Sequence, residues 1–295
     1  MPLTGIVWLA SYPKSGNTWL RAFLMNFLDP GKRPVDINQL GAGGVVNSRE
    51  RFDLLTGVES SDLGPDEIAR LRPEVNRLLC TAFAELEDVT FSKVHDAFTR
   101  SPEYGPFFPS TGRAVYVIRN PLDVAVSLSY FMARSLDRTI RMMANEHMTL
   151  GAKWGRMPPQ LPQRLRSWSG HVKSWLEESD MPVEVLRFED MKAAPFETFS
   201  RAVRFIGLEP ESHRIRRAVK SSSFQELKRQ ERSHGFRERG RGEVFFRRGE
   251  VGSWKDELTR DQVRRIVSDH EEVMGRFGYL TPSVLQAAGR SIVSA

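Results

Sequence analysis

A single cysteine, Cys80, stands in 295 residues. The chain therefore carries neither a disulfide framework nor a cysteine metal cluster, and a reducing, cytoplasmic setting is expected. No apolar run approaches the roughly 20 residues of a membrane span. The stretch from Gly5 to Ala10 is apolar, but Tyr12-Pro13-Lys14 cuts it off and no basic region precedes it, so it reads as a buried strand and not as a signal peptide. No segment repeats, and no linker divides the chain. The G-x-x-x-x-G-K-[ST] spacing of a Walker A loop is missing. No pair of carboxylates stands out to hold Mg²⁺, so no metal is expected. Neither a nucleic-acid-binding module nor an interleaving of aromatic and basic residues stands out, so no nucleic-acid partner is expected.

What is present is the composition of a globular protein, with 40% apolar and 27% charged residues, in a chain long enough to bury a full core as one large α/β domain. That domain is placed at residues 1–281, with a C-terminal tail at 282–295. The net charge is +6, much of the excess lies between Arg214 and Arg248, and such a balance favours an anionic partner. A basic run is more often a solvated face than a site, so its weight depends on what else converges with it.

Short apolar runs ended by turn residues mark strands at Ile6–Ser11, Val89–Val94, Ala114–Ile118 and Val183–Phe188. Helical spacing marks helices from Thr18, from Pro121 to Phe131, over Ile68–Leu86 with Pro73 as a kink point, over Leu165–Leu176, and over Thr259–Phe277. Asn120 before Pro121 is a cap followed by a favoured first residue, and Thr259 with Gln262 forms a capping box. Strands alternating with helices predict a parallel sheet covered on both faces. Two stretches, Ala133–Gln163 and Lys228–Gly242, are too long for routine connections and read as lids or binding loops. Met142, Met143, Met148, Met157 and Trp154 in the first of them point to an adaptable apolar surface.

The strongest chemical signal is Tyr12-Pro13-Lys14-Ser15-Gly16-Asn17-Thr18-Trp19. A turn of small residues between a buried strand and a helix aims several backbone amides at one point, where the helix dipole also favours an anion. Ser15, Asn17 and Thr18 add side-chain donors and Lys14 a full charge. A plain strand–helix turn would use the same small residues. Lys93 and His95 lie two apart on a strand and so share a face, though a lone histidine at a strand end is more often structural.

This octapeptide resembles the 5′-phosphosulfate loop of the cytosolic sulfotransferase family, YPKSGTTW, with Asn17 in place of a Thr. Three further blocks are similar to that family in order: Phe91–His95 to its K-x-H strand end, Arg119–Ser127 (RNPLDVAVS) to its 3′-phosphate block, and Arg247-Arg248-Gly249 with Gly252–Lys255 to its RKG-x-x-GDWK loop. The resemblance implies a P-loop-like three-layer α/β domain and transfer of a sulfuryl group from 3′-phosphoadenosine 5′-phosphosulfate (PAPS) to an acceptor hydroxyl. It implies that Lys14 meets the charge developing at the 5′-phosphate, that Ser15, Gly16, Asn17 and Thr18 hold that phosphate, and that Trp19 stacks on adenine. Arg119, Ser127, Arg247, Arg248 and Gly249 are implied at the 3′-phosphate, Ser222 and Phe224 at adenine, His95 as general base and Lys93 beside the sulfuryl oxygens.

The chain also departs from the pattern. Phe188 stands where the family often has Tyr, and Ser253 where its loop has Asp. Arg260 and Arg264 replace the Val and Glu of a dimer motif that Lys255 and Thr259 match. The oligomeric state is left open, as is the acceptor, whose pocket is expected to be lined from 41–61, 98–110 and 133–163. The alternative is a P-loop-type kinase or another adenine-nucleotide-dependent transferase, which would share the anion loop.

Overall fold

The computed structural model describes the chain except for residues 1–4, 32, 42–45, 85–88, 102–104, 110–111, 152–157, 243 and 291–295. β1 (Gly5–Ser11) leads through the turn at 12–16 into α1 (Asn17–Leu28). The helices α2 (Arg49–Thr56) and α3 (Pro65–Ala84) follow, with Pro73 inside α3. β2 (Val89–Val94) and β3 (Arg113–Ile118) come next, then α4 (Pro121–Met132), α5 (Leu136–Met143) and α6 (Trp168–Glu177). β4 (Val183–Arg187) leads into α7 (Phe188–Ala193), α8 (Pro195–Ile206), α9 (Ser212–Ser221) and α10 (Phe224–His234). α11 (Arg260–Arg276) and α12 (Pro282–Ala288) close the described chain.

The four strands pair in parallel in the order β2-β1-β3-β4. Because side chains alternate along a strand, β1 feeds two cores at once. Ile6, Trp8 and Ala10 pack into a cluster with α4, α6 and α11, while Val7 and Leu9 pack with α1, α8 and α9. This is the three-layer α/β arrangement expected from strands buried on both faces. The chain leaves β1 for β2 on one side and reaches β3 on the other, so β1 lies at a switch point, where crevices open beyond the carboxyl ends of strands. Among the described residues no helix is long and apolar enough to cross a membrane.

Three expectations need correction. The stretch 133–163 is not one long loop: Ser135 caps α5, whose Ile140 and Met143 are buried, and Thr149–Leu150 pairs with Gln163–Arg164. The stretch 228–242 is helical up to His234, because α10 is capped by Ser223 and buries Leu227 and Gln230. The segment set apart as a tail from 282 contains α12, where Pro282 follows the Thr281 cap and Val284 and Ala288 are buried in the core shared with α11.

Candidate active site

Each of the four sheet strands delivers residues to one cleft at its carboxyl end. β1 gives the loop 13–19, β2 gives Lys93 and His95, β3 gives Arg119, and β4 gives Phe188. The cleft has a volume of about 410 Å³ and is closed on its far side by Phe224, Glu238, Phe245 and Arg247–Gly249.

The turn after β1 is built around two left-handed backbone positions, Lys14 (φ 69°) and Gly16 (φ 117°). Gly16 must be glycine for a second reason, since a Cβ there would lie 2.8 Å from the Phe188 ring. Asn17 Nδ2 donates to the Leu9 carbonyl at 2.7 Å, which ties the start of α1 back to β1. Ser15 lies fully buried beneath the turn while Thr18 and Trp19 line the cleft. The Ser15 hydroxyl, Asn17 Oδ1, Trp19 Nε1 and Arg119 Nε are buried with no hydrogen-bond partner among the described residues. Buried polar atoms are normally paired, so four orphans around one anion-type loop mark a place built for a polar ligand.

Lys14 Nζ sits over the Phe245 ring at 3.5 Å and the Phe131 ring at 4.7 Å. Burial, helped by the Arg119 and Lys93 cations, lowers its pKa to about 7. Arg119 donates to the carbonyls of Lys14 (3.2 Å) and Glu250 (2.8 Å) and lies over the Phe188 ring at 4.3 Å. Phe188, in the place of the expected Tyr, therefore keeps its ring contacts without a phenol hydrogen bond.

His95 Nδ1 contacts the Ser11 carbonyl at 2.8 Å. A carbonyl can only accept, so Nδ1 carries the proton and Nε2 is left with its lone pair. The main chain of His95 is itself held from α6: the buried His171 Nε2 donates to the His95 carbonyl at 3.1 Å, and Trp175 Nε1 to the Asp96 carbonyl at 3.0 Å. Burial first, and the Lys93 charge second, push the His95 pKa down to about 3. In the ligand-free protein the imidazole is therefore neutral at ordinary pH.

The 3′-phosphate block and the basic loop meet at Asp123. Its carboxylate accepts from Gly252 N (2.8 Å), Ser253 Oγ (3.0 Å) and Trp254 N (3.1 Å). Ser253, in the place of the expected Asp, thus bonds across to α4. Arg119, Ser127, Arg247, Arg248 and Gly249 all line the cleft. Arg247 pairs with Glu257 at 2.8 Å and stacks over Tyr130 at 4.0 Å, and Arg248 reaches Glu257 at 3.6 Å. Gly249 (φ 63°) leaves room for Phe224, whose ring a Cβ would penetrate. Ser222 is the exception. It is fully buried at the end of α9, its hydroxyl donates to the Ala218 carbonyl at 2.8 Å, and it does not line the cleft.

Sequence reasoning missed Glu238, whose carboxylate bridges Lys93 (2.6 Å) and Arg21 (2.7 Å). Burial would raise its pKa, but the Lys93 and Arg21 cations more than offset that and hold it down to about 2. Gln160, Gln163 and Lys192 also line the cleft unforeseen. Glu238 stands among glycines and arginines with no local pattern to set it apart, so no signal short of the fold could have found it. Among the segments expected on the acceptor side, 42–45, 102–104, 110 and 152–157, including Trp154 and Met157, lie outside the described residues.

Comparison with known proteins agrees with this geometry. A family model described as a sulfotransferase domain matches residues 5–278. Flavonol 3-sulfotransferase of Flaveria bidentis is 26% identical over 92% of this chain and 82% of its own length. Sulfotransferase 2A6 of Rattus norvegicus is 27% identical over 91% of this chain and 84% of its own. A mouse sulfotransferase complexed with PAP superposes with a TM-score of 0.58 at 19% identity, covering 97% of this chain and 88% of that one, which places the fold.

Proposed function

The chain belongs to the sulfotransferase domain family, and on that premise we propose that it moves a sulfuryl group from PAPS to the hydroxyl of a small-molecule acceptor. The observation that carries this reading is the set of orphaned buried polar atoms, Ser15 Oγ, Asn17 Oδ1, Trp19 Nε1 and Arg119 Nε. They border one cleft that is lined by the cations Lys14, Lys93, Arg119, Arg247 and Arg248. A nucleotide with phosphates on both its 5′ and 3′ positions matches that set of cations, while one lacking the 3′-phosphate would leave some of them without an anionic partner.

The bound donor supplies an electrophilic sulfur with a phosphate as leaving group. Amides and side chains of 14–18 hold the 5′-phosphate at the start of α1, and the Lys14 ammonium offsets the negative charge that gathers on it. Trp19, Phe188 and Phe224 offer ring faces and edges for the adenine. The unprotonated His95 Nε2 accepts the acceptor's proton as the new S–O bond forms and the bond to phosphate oxygen breaks. An oxygen bonding to sulfur becomes strongly acidic, so even a weak imidazole base serves. The incoming anionic groups also raise its basicity by stabilising the imidazolium.

One experiment tests the reading. Wild type and His95→Ala are given PAPS with a panel of phenolic and alcoholic acceptors, and their melting is followed with adenosine 3′,5′-bisphosphate or AMP. Wild type transfers, and the variant loses about 10²–10⁴-fold in rate. Both gain stability from the bisphosphate, about 2.7 kcal/mol at a hundredfold excess over Kd. Equal shifts with AMP would remove the 3′-phosphate from the reading, and an unimpaired His95→Ala would remove the histidine base.

A further inference from the structure

We propose that Glu238 is a positioning residue for sulfuryl transfer: its carboxylate, clamped between Arg21 and Lys93, aims the Lys93 ammonium into the sulfuryl end of the cleft and offsets the cost of burying it there. The proposal rests on the sulfotransferase reading above. It starts from three side chains drawn from distant parts of the chain, Arg21 in α1, Lys93 near the end of β2, and Glu238 past the end of α10. The contacts are 2.6 and 2.7 Å, and the side chains of Arg21 and Lys93 keep only 7% and 15% of their exposure. A pair this enclosed differs from a surface salt bridge, because breaking it leaves an uncompensated buried charge.

The charge order is what suits the triad to its task. A carboxylate facing Lys93 alone would make a neutral couple and repel a sulfuryl group. With Arg21 on its other oxygen, the triad carries a net positive charge. An ammonium has three donors, and Glu238 occupies one, so the others are free to reach sulfuryl oxygens. The charged groups that bear on Lys93 are Glu238 from the segment after α10, Arg21 from α1, Lys14 from the loop after β1, and His95 two residues on. Burial and Arg21 favour loss of the Lys93 proton, and Glu238 alone opposes it. Neutralising Glu238 therefore leaves a lysine, ringed by Arg21 and Lys14, that sheds its proton as the pH rises.

The test compares the affinity of PAPS with that of adenosine 3′,5′-bisphosphate by calorimetry between pH 7.5 and 10, because only PAPS presents a sulfuryl group to Lys93. The lower limit is about 1.5 units above a phosphate's second pKa of about 6, and the upper limit is close to the lysine range. Wild type, whose Lys93 is itself held below its ordinary pKa by burial, should lose preference only at higher pH than the variant. Glu238→Gln, which keeps the shape, should lose preference by about tenfold per pH unit once Lys93 titrates, while its affinity for the bisphosphate stays within about threefold of wild type. Adding Lys93→Arg to Glu238→Gln supplies a cation that keeps its proton and should remove the slope. Glu238→Asp, too short to span both cations, should lower the preference without a slope and serves if Glu238→Gln does not fold. A Glu238→Gln profile that tracks wild type, an equal loss of both ligands at every pH, or a Glu238→Asp preference equal to wild type would overturn the proposal. A wild type that binds neither nucleotide would overturn the sulfotransferase reading instead.

Discussion

Lys14 combines three conditions that seldom meet at one residue. Its backbone is left-handed, which costs a non-glycine residue about 1–2 kcal/mol, its ammonium lies against two aromatic faces, and burial lowers its pKa to about 7. An anion placed at the loop must restore the ammonium, so binding above pH 7 takes up a proton. Calorimetry with adenosine 3′,5′-bisphosphate at pH 8, repeated in buffers of different ionisation enthalpy, should show an uptake approaching one proton, and Lys14→Arg should abolish it. Uptake near zero in wild type would mean that Lys14 stays charged in the free protein. At this scale the sequence was legible wherever residues act on their neighbours in the chain. Lys14, Gly16, Asn17, Thr18, Trp19, Arg119, Lys93 and His95 all line one cleft, with Ser15 buried beneath the turn. Ser222 does not, since a short hydroxyl at a helix end is captured by the carbonyl of Ala218 one turn earlier.

Asp123, in the first turn of α4, shows what an element contributes beyond its own residues. From the sequence it reads only as an acidic residue facing a helix dipole. Folded, its buried carboxylate moors the turn at 252–254 through three hydrogen bonds, and that turn follows directly on Arg247–Gly249. Asp123→Ala strands two backbone amides and a hydroxyl, a loss of about 3 kcal/mol or more. It should lower the melting temperature by several degrees and loosen hydrogen-exchange protection across 249–255. Affinity for the bisphosphate should fall, but not for AMP, which lacks the 3′-phosphate. Unchanged protection there would show that the turn is held by other contacts. The strands and helices themselves were legible to within a few residues because periodicity and caps are local, as the capping box of Thr259 and Gln262 shows. The stretch after His234 was not. Its Gly and Arg content reads as a mobile lid, whereas Glu231 in α10 accepts from the amides of Phe245 (2.7 Å) and Phe246 (2.9 Å), and Phe236 and Phe246 pack with Ala22, Ile37 and Leu40. Ala22, Ile37 and Leu40 lie about 200 residues away in the chain, where no sequence window reaches.

Across the whole molecule, the same two-sided core that positions the cleft also fixes how stability depends on pH. Two histidines, His171 and His270, are enclosed by it, and a third, His95, is half-buried where it lines the cleft. His171 bridges the Tyr116 hydroxyl (2.7 Å) and the His95 carbonyl, His270 meets Ser169 at 3.0 Å, and His95 ends β2. Burial is the leading cause in each, and it depresses the pKa of His95 and His171 to about 3 and of His270 to about 4, from 6.5. The folded protein keeps all three neutral where the unfolded chain would protonate them. Their contribution is therefore complete above pH 6.5 and is lost as the pH falls from there towards 4. With the unfolded histidines fully charged, the slope approaches about 4 kcal/mol per pH unit. Melting temperatures measured from pH 8 to 4.5 should fall steeply below 6, with a gentler fall between 8 and 7 because Lys14, its pKa lowered to about 7, is uncharged at pH 8 in the folded protein while the unfolded chain keeps its proton. Replacing His270 by Gln, away from the cleft, should make that fall shallower while leaving nucleotide affinity unchanged. Below about pH 4.5 Glu238 adds to the loss, because protonating it removes the bridge between Arg21 and Lys93. A melting temperature that stayed level between pH 7 and 5 would mean that the buried imidazoles take up protons in the folded state, through water reaching the core around β2 and α6.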